Sequence, residues 1–241
     1  MKKAVVLSSG GLDSTTCVGL AVKDFGKENV TTVSVLYGQR HTKELACAKK
    51  VADYYGVNHV LLDLSNVFRF SKCSLMLNSG KDISHKSYAE QIAERKDGTV
   101  ETYVPFRNGL MLSAVASYAM SISEGNEVEI LIGAHADDAA GNAYPDCSLE
   151  FIENMNDAIY IGTYGKVTVR APFVNVNKSD IVSYGLYHKV PYELTWSCYE
   201  GGKEACGKCG TCRDRLDAFK FNKATDPIKY KDFGGDSNAE K

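Results

Sequence analysis

Apolar runs alternate with helical patterns over the first third of the chain, and this alternation constrains the fold more than any other feature. Residues 3–8 form a run typical of a buried parallel strand, and similar runs follow at 30–37 and 57–64. Helical patterns lie between them at 14–25 and 42–55. Because strands separated by helices need right-handed crossovers, we predict a doubly wound, mainly parallel α/β sheet with ligands at the carboxyl ends of its strands.

The later sequence continues this alternation and then changes character. Residues 65–100 are polar and lack clear periodicity, so we predict an insertion or lid there. Glycines and cysteines then crowd together after Trp196, and the last residues carry few apolar side chains. The predicted organisation is an α/β domain at 1–195, a cysteine-rich segment with a terminal helix at 196–222, and a flexible tail at 223–241.

Composition and charge exclude several classes of protein. Hydrophobic residues make up 44% of the 241 residues and charged residues 24%, which excludes disordered chains and disulfide scaffolds. The formal net charge of -2 provides no overall positive field for nucleic acid. Since no apolar run is long enough for a signal-peptide core or a membrane span, we expect a cytoplasmic protein that binds neither nucleic acid nor membrane directly.

The loop after the first strand predicts an anion site. Residues 9–14, Ser-Gly-Gly-Leu-Asp-Ser, lie where free N–H groups meet the positive end of the first helix dipole. The adjacent glycines let the backbone approach phosphate oxygens, and Asp13 suits that place only if a Mg²⁺ ion intervenes. A capped helix after a tight turn is the other interpretation. The loop lacks the Gly-Lys-Ser of the Walker loop and the third glycine of the dinucleotide fingerprint.

Four of the eight cysteines lie close together near the end of the sequence. Intervals of seven, two and two residues separate Cys198, Cys206, Cys209 and Cys212. Thiolates at this spacing favour a tetrahedral, structural zinc site without an open position. A redox disulfide or an iron–sulfur cluster is the alternative interpretation.

Further polar residues follow predicted strands and therefore belong at the same edge of the sheet. Arg40 and His41 end the second strand, and Arg107 precedes Asn108, a candidate helix cap. Lys178 opens a later helix, from which it can reach a phosphate. Each of these residues can also be explained as a solvated turn or a simple cap.

A last cluster spans residues 133–147 and contains acids, an imidazole and a thiol. Cys147 can be interpreted as a nucleophile with His135 as its base. A small, buried and inert cysteine is the alternative.

Together these strings resemble the QueC family of queuosine biosynthesis enzymes, a branch of the ATP pyrophosphatase (PP-loop) group. The resemblance extends from Lys2 to about Phe219. It rests on Ser-Gly-Gly-x-Asp-Ser at 9–14, Tyr-Gly-Gln-Arg-His at 37–41, Val-Pro-x-Arg-Asn at 104–108, Tyr-Pro-Asp-Cys at 144–147, Asn-Lys at 177–178 and the cysteines from Ser197-Cys198-Tyr199 onwards. The sequence departs from the family at Phe106, where glycine is usual, and in the Gly-Ala-His-Ala-Asp-Asp string at 133–138.

The resemblance implies a Rossmann-like fold of the adenine nucleotide alpha hydrolase type, with an ATP-binding domain at 1–195 and a small C-terminal zinc-binding segment. It also implies an ATP-dependent ligase that forms C–N bonds and converts 7-carboxy-7-deazaguanine and ammonia into 7-cyano-7-deazaguanine, a precursor for tRNA modification. The implied cofactors are ATP, Mg²⁺ and one structural zinc ion per chain, and the implied assembly is a homodimer.

We predict the site residues from these motifs. The predicted catalytic residues are Asp13, Arg40, Arg107 and Lys178. The predicted ATP-binding residues are Leu7, Ser8, Ser9, Gly10, Gly11, Leu12, Asp13, Ser14 and Thr15. The predicted substrate-binding residues are His41, Asn108, Asp137, Tyr144 and Asp146, and the predicted metal ligands are the four clustered cysteines.

A chemical hypothesis accompanies this interpretation. Converting a carboxylic acid into a nitrile removes two oxygens, each of which leaves poorly unless it is activated. We expect adenylation of the carboxylate, displacement of AMP by ammonia, and a second activation of the resulting amide. A tRNA-thiolating enzyme of the same fold and a non-catalytic zinc-ribbon module are the rival interpretations; the net charge weighs against the first, and the size of the α/β part against the second.

Overall fold

The computed structural model describes residues 2–95 and 99–231. Within them, five parallel strands form one sheet: β1 (Lys3–Leu7), β2 (Val30–Leu36), β3 (Asn58–Asp63), β4 (Val128–Leu131) and β5 (Val167–Arg170). The strand order is β3-β2-β1-β4-β5. The predicted doubly wound parallel sheet is confirmed.

Nine α-helices occur in these described ranges. They are α1 (Leu12–Phe25), α2 (Lys43–Tyr55), α3 (Ser65–Phe68), α4 (Tyr88–Glu94), α5 (Arg107–Ile122), α6 (Ala136–Ala139), α7 (Leu149–Gly162), α8 (Lys178–Tyr187) and α9 (Gly210–Phe221). None of the helices that the structure describes is long and apolar enough to cross a bilayer.

The sheet is buried on both faces. Along β1, Val5 packs into one core with Leu112 of α5, whereas the next residue, Val6, packs into the other core with Val18 of α1. Successive side chains of a strand point to opposite faces, so a sheet covered by helices on both sides needs an uninterrupted apolar run. Each of these fully buried valines contributes on the order of 2 kcal/mol to stability.

The order of the strands places a crevice beyond the carboxyl end of β1. Leu7 of β1 is paired with Val33 of β2, and Val6 is paired with Leu131 of β4 on the opposite side. The chain winds in opposite directions from β1, and a doubly wound sheet binds its ligands at such a switch point. The loop at residues 8–11 opens into this crevice.

The described part of the predicted tail packs against the cysteine-rich segment. The N–H of Ala205 donates to the carbonyl of Lys229 over 2.9 Å, and the N–H of Lys231 donates back to Ala205 over 2.9 Å. Arg215 of α9 forms a buried ion pair with Asp226. Backbone pairing and this ion pair thus hold residues that we expected to pack weakly for want of apolar side chains. Residues 232–241 of the predicted tail and 96–98 of the predicted insertion lie outside the described residues.

Candidate functional site

A cavity of about 240 Å³ lies at the crevice beyond β1 and is called the site cavity below. Its wall includes all four predicted catalytic residues: Asp13, Arg40, Arg107 and Lys178. They come from α1, the loop after β2, α5 and α8, so the fold brings together side chains that are far apart in the sequence.

The loop after β1 leaves the start of α1 open to a ligand. Gly11 is the N-cap residue of α1, and no side chain caps the helix, so the capped-helix interpretation does not hold. The Ser9 N–H donates to the Ser14 hydroxyl over 3.2 Å, and the Gly11 N–H donates to the Ser9 hydroxyl over 3.2 Å. Free N–H groups at a helix N-terminus, together with these hydroxyls, form an anion site.

Gly10 is required by both its conformation and its neighbours. Its φ is +80°, in the left-handed region that favours glycine, and a Cβ there would lie 2.1 Å from the carbonyl oxygen of Glu44. The loop backbone therefore lies directly against the first turn of α2.

The predicted ATP-binding residues divide into two layers. Leu7, Ser8, Ser9, Gly11, Asp13 and Ser14 line the site cavity. The other three, Gly10, Leu12 and Thr15, are buried and do not line it.

Asp13 and Lys178 form an ion pair at the edge of the anion site. The Lys178 Nζ lies 3.3 Å from the Asp13 Oδ2, and the Nε2 of buried His135 lies 3.7 Å from the same oxygen. Burial raises the pKa of Asp13, but Lys178 and His135 outweigh it and hold the pKa below its usual value. Burial lowers the pKa of Lys178, but Asp13 and Asp138 outweigh it and raise the pKa. Both members of the pair are therefore charged.

The second carboxylate oxygen of Asp13 is left free. Oδ1 is buried and has no hydrogen-bond partner among the described residues. A buried acceptor without a donor is unfavourable unless a ligand completes it. Because carboxylate oxygens are the ligands that Mg²⁺ prefers, the Asp13 carboxylate fits a role in holding that ion.

Arg107 is held in the wall of the site cavity by the start of α5. Its guanidinium carbon lies 5.6 Å from the centre of the Tyr37 ring. Burial raises the pKa of Tyr37 to about 12, an effect that Arg107 partly offsets. The N–H of Asn108, the next residue, donates to the Asp146 Oδ2 over 2.9 Å. This contact anchors the turn that carries Arg107.

The structure separates the predicted substrate-binding residues into two groups. His41 and Asn108 line the site cavity, whereas Asp137, Tyr144 and Asp146 do not. Asp137 accepts the N–H of Lys178 over 2.8 Å, Asp146 accepts the N–H of Asn108, and the Tyr144 hydroxyl contacts Thr102. The first two of these side chains hold residues that themselves reach the cavity.

Cys147 is not paired with His135 in the structure. Its sulfur accepts a hydrogen bond from the Asn108 Nδ2 over 3.2 Å, and burial raises the pKa of its thiol. The Nε2 of His135 instead lies 3.3 Å from a carboxylate oxygen of Asp138. A buried thiol with a raised pKa is a poor nucleophile.

The motifs do not predict several residues that line the site cavity, among them Glu44, Tyr88, Asp138, Trp196, Tyr199 and Asp214. Glu44 has no motif of its own, because an acid in the first turn of a helix is common. Burial raises its pKa to about 8, and Arg107 partly offsets this effect. Tyr88 belongs to the predicted insertion, which therefore reaches the cavity, as expected of a segment that covers a ligand.

The four clustered cysteines can hold a metal ion. Their sulfurs lie within 4.8 Å of one another and all four residues are buried, with 4.0 Å between the sulfurs of Cys206 and Cys212. A tetrahedral site with Zn–S bonds of about 2.3 Å separates its sulfurs by about 3.8 Å. The N–H groups of Lys208 and Cys209 donate to the Cys206 sulfur and hold it in place. All eight cysteines are free thiols in the structure.

The cysteine-rich segment also forms part of the site cavity. The backbone N–H of Trp196 donates to the carbonyl oxygen of Gly10 over 2.9 Å. The Thr211 hydroxyl donates to the Ser197 carbonyl over 2.9 Å, which ties the start of α9 to the same strip of chain. The loop at residues 8–11, called the phosphate loop below, is therefore held between α2 on one side and the cysteine-rich segment on the other.

Comparison with known proteins identifies close relatives along the length of the chain. Residues 3–223 match the family model described as "Queuosine biosynthesis protein QueC". A 7-cyano-7-deazaguanine synthase of Oceanobacillus iheyensis is 45% identical over 232 residues, which cover 95% of this chain and 98% of that protein. The enzyme of the same name from Archaeoglobus fulgidus is 40% identical over 227 residues, covering 94% of this chain and 89% of that protein.

Among solved structures, the NMN synthetase of Francisella tularensis is similar, with 13% identity and a TM-score of 0.49. The similarity covers 92% of this chain and 78% of that one.

Proposed function

This chain belongs to the QueC family of queuosine biosynthesis proteins, and from that membership we propose that it converts 7-carboxy-7-deazaguanine and ammonia into 7-cyano-7-deazaguanine with ATP. Curated relatives at 45% and 40% identity carry the name of this synthase. The structural observation that carries the proposal is the convergence of the uncapped phosphate loop, Lys178 and Arg107 on one cavity.

The proposed chemistry activates each oxygen before it leaves. The substrate carboxylate attacks the α-phosphate of ATP, pyrophosphate departs, and ammonia then displaces AMP with loss of a proton to give the amide. The amide oxygen attacks the α-phosphate of a second ATP, and loss of AMP and of the nitrogen-bound protons leaves the nitrile. One loop can serve both activations, because each step releases pyrophosphate from the same kind of bond.

We assign the binding of the departing pyrophosphate to the phosphate loop. The free N–H groups in the first turn of α1 and the hydroxyls of Ser9 and Ser14 supply donors, and the Lys178 ammonium neutralises developing negative charge. Arg107, at the start of α5, also neutralises developing negative charge. Arg40 has weaker support, because its guanidinium already donates to the Lys81 carbonyl over 2.7 Å.

Mg²⁺ and zinc have separate roles in this proposal. Asp13 would hold Mg²⁺ through its free Oδ1 atom, where the ion would neutralise phosphate oxygens. Cys198, Cys206, Cys209 and Cys212 would hold one structural zinc ion, since four thiolates leave no open position for a substrate. We also propose, on the family resemblance, a homodimer in the cytoplasm whose product is a precursor for tRNA modification.

The test is a turnover assay with product analysis. The chain is incubated with ATP, 7-carboxy-7-deazaguanine and ammonium, and we expect the nitrile together with AMP and pyrophosphate. Transfer RNA in place of the deazaguanine should not stimulate ATP turnover; stimulation by tRNA would favour the thiolating rival. Absence of the nitrile would refute the proposed function, whereas ADP and orthophosphate as first products would refute only the adenylation steps.

A further inference from the structure

Glu44 places a carboxyl group in the wall of the site cavity without a partner. It lies in the first turn of α2 and shares the cavity with Tyr37 and Arg107. Among the described residues, its carboxylate takes part in no hydrogen bond and no ion pair, in contrast to the buried carboxylates of Asp146 and Asp226. The proposed chemistry gives Glu44 no role.

In the free protein, the charged form of Glu44 is unfavourable because no partner stabilises it. Removing the charged form from water is costly, and burial raises the pKa of Glu44 to about 8 even though Arg107 faces it. Both side chains line the site cavity, but they form no ion pair with each other among the described residues. A ligand that donates two hydrogen bonds stabilises the charged form, so its binding would lower the pKa of Glu44 again and leave a carboxylate with two acceptor oxygens, which makes Glu44 a candidate for ligand recognition.

The position of Glu44 is fixed relative to the phosphate loop. A Cβ on Gly10 would come within 2.1 Å of the Glu44 carbonyl oxygen and 2.6 Å of the Ala48 nitrogen. The backbone of the loop and the first turns of α2 are thus in direct contact, without an intervening side chain. The backbone of Glu44 is therefore held against the loop that we assign to the departing pyrophosphate.

We infer that the carboxylate of Glu44 binds the N1–H and 2-amino groups of the deazaguanine ring and determines the specificity of the site for it. The carboxylate offers two acceptor oxygens side by side, and the ring offers two adjacent donors at that edge. The corresponding edge of adenine has a donor beside an acceptor, so a carboxylate distinguishes the acid substrate from ATP. This inference rests on the proposed function.

A purely structural role predicts a different outcome. An acid in the first turn of a helix favours the helix through its dipole, and a neutral replacement would then lower stability without affecting any one substrate. Asp53 of the same helix is exposed and paired with Lys49, so Asp53→Asn is the matched control for loss of a carboxylate on α2.

The central experiment compares Glu44→Gln with the wild-type chain and with Asp53→Asn. Glutamine keeps one acceptor but turns a donor towards the ring, so we expect the KM for 7-carboxy-7-deazaguanine to rise about 10- to 100-fold. The KM for ATP should stay within about twofold, and Asp53→Asn should leave both constants unchanged. Calorimetric titration of the acid substrate, in the absence of ATP, should give the same loss in affinity.

An analogue of the substrate without the 2-amino group tests the same contact from the ligand side. The wild-type chain should bind it about tenfold more weakly than the parent acid, whereas Glu44→Gln should bind the two compounds equally. This measurement needs only the wild-type chain if the variant fails to fold, and equal binding of the two compounds by the wild type overturns the inference.

Other outcomes separate the inference from the proposed function. An unchanged KM for the acid in Glu44→Gln, or an equal rise in the KM for ATP, overturns the role of Glu44 while nitrile synthesis stands. Failure of the wild-type chain to produce nitrile removes the proposed function and the inference together.

Discussion

The ammonium group of Lys178 lies 3.3 Å from a carboxylate oxygen of Asp13. Asp13 belongs to the first turn of α1 and Lys178 opens α8, so the pair joins two helix N-termini at the crevice. Each charge offsets the burial of the other, and the pair leaves the Asp13 Oδ1 free for a cation. The Lys178 ammonium thereby offsets the negative charge of a carboxylate at the start of α1.

Lys178→Met should therefore lower ATP turnover strongly. The departing pyrophosphate loses a nearby cation, and Asp13 loses the ammonium group that offsets part of its negative charge. We expect kcat/KM for ATP, measured by AMP release, to fall by about 10²- to 10³-fold. Lys23→Met, at the far end of α1, is the control, and wild-type kinetics in Lys178→Met would contradict the assignment.

Arg215→Met should destabilise the whole C-terminal part of the chain. The guanidinium is almost fully buried, donates to both oxygens of Asp226 over 2.7 and 2.9 Å, and also donates to the Thr195 hydroxyl over 2.7 Å. Removing one member of a buried pair leaves the other charge unpaired, so the free energy of unfolding should fall by about 3–5 kcal/mol.

Urea unfolding of Arg215→Met checks this value. Lys220→Met, an exposed cation in the last turn of the same helix, should change stability by less than about 0.5 kcal/mol. A double variant in which Asp226 is also replaced, by leucine, should recover part of the loss. If the single and double variants are equally unstable, the unpaired Asp226 charge is not the cause.

Removal of the metal should affect the ATP site as well as the cysteine-rich segment. The proposed zinc ion contributes on the order of 10 kcal/mol to holding its loop, and Trp196 of the same stretch donates to Gly10. A strong chelator should release one metal ion per chain, lower the melting temperature and raise the KM for ATP. Cys209→Ser should reproduce these effects, whereas Cys73→Ser, outside the cluster, should retain the metal.

Phe106 occupies a backbone conformation that favours glycine. Its φ is 52°, and the ring contacts that of Phe151 at a centroid distance of 5.9 Å while more than half exposed. Phe106→Gly loses the ring contact but relieves the positive φ, whereas Phe106→Ala loses the contact and keeps the strain. Urea unfolding should find Phe106→Gly about 1 kcal/mol more stable than Phe106→Ala. Equal stability would show that the backbone there carries no strain.

The three central strands of the sheet, β2, β1 and β4, were predictable because they are buried on both faces. The run from Lys3 to Leu7 has no polar side chain after its first residue, and glycines follow both α1 and α2 at Gly26 and Gly56. The turn before α1 was predictable because its glycines and serines are consecutive in the sequence. Local physical constraints thus identify the fold class and the part of the site that is local in sequence.

Contacts between distant parts of the sequence could not be predicted in the same way. The Asp13–Lys178 pair has no local signal, because either residue alone is an ordinary member of a first helical turn. Asp137 and Asp146 follow strands as site residues do, yet their carboxylates are used to hold Lys178 and Asn108. The raised pKa of Glu44 arises only in the folded protein, where burial disfavours its charged form.

The hydrogen bond from Trp196 to Gly10 bears on how the protein is made. The phosphate loop is synthesised early in translation. Trp196, which donates the hydrogen bond that holds the loop, is synthesised only after all five described strands. We therefore expect a nascent chain to bind nucleotide only late in translation. A truncated chain that ends before Trp196 should show no ATP turnover rather than partial activity.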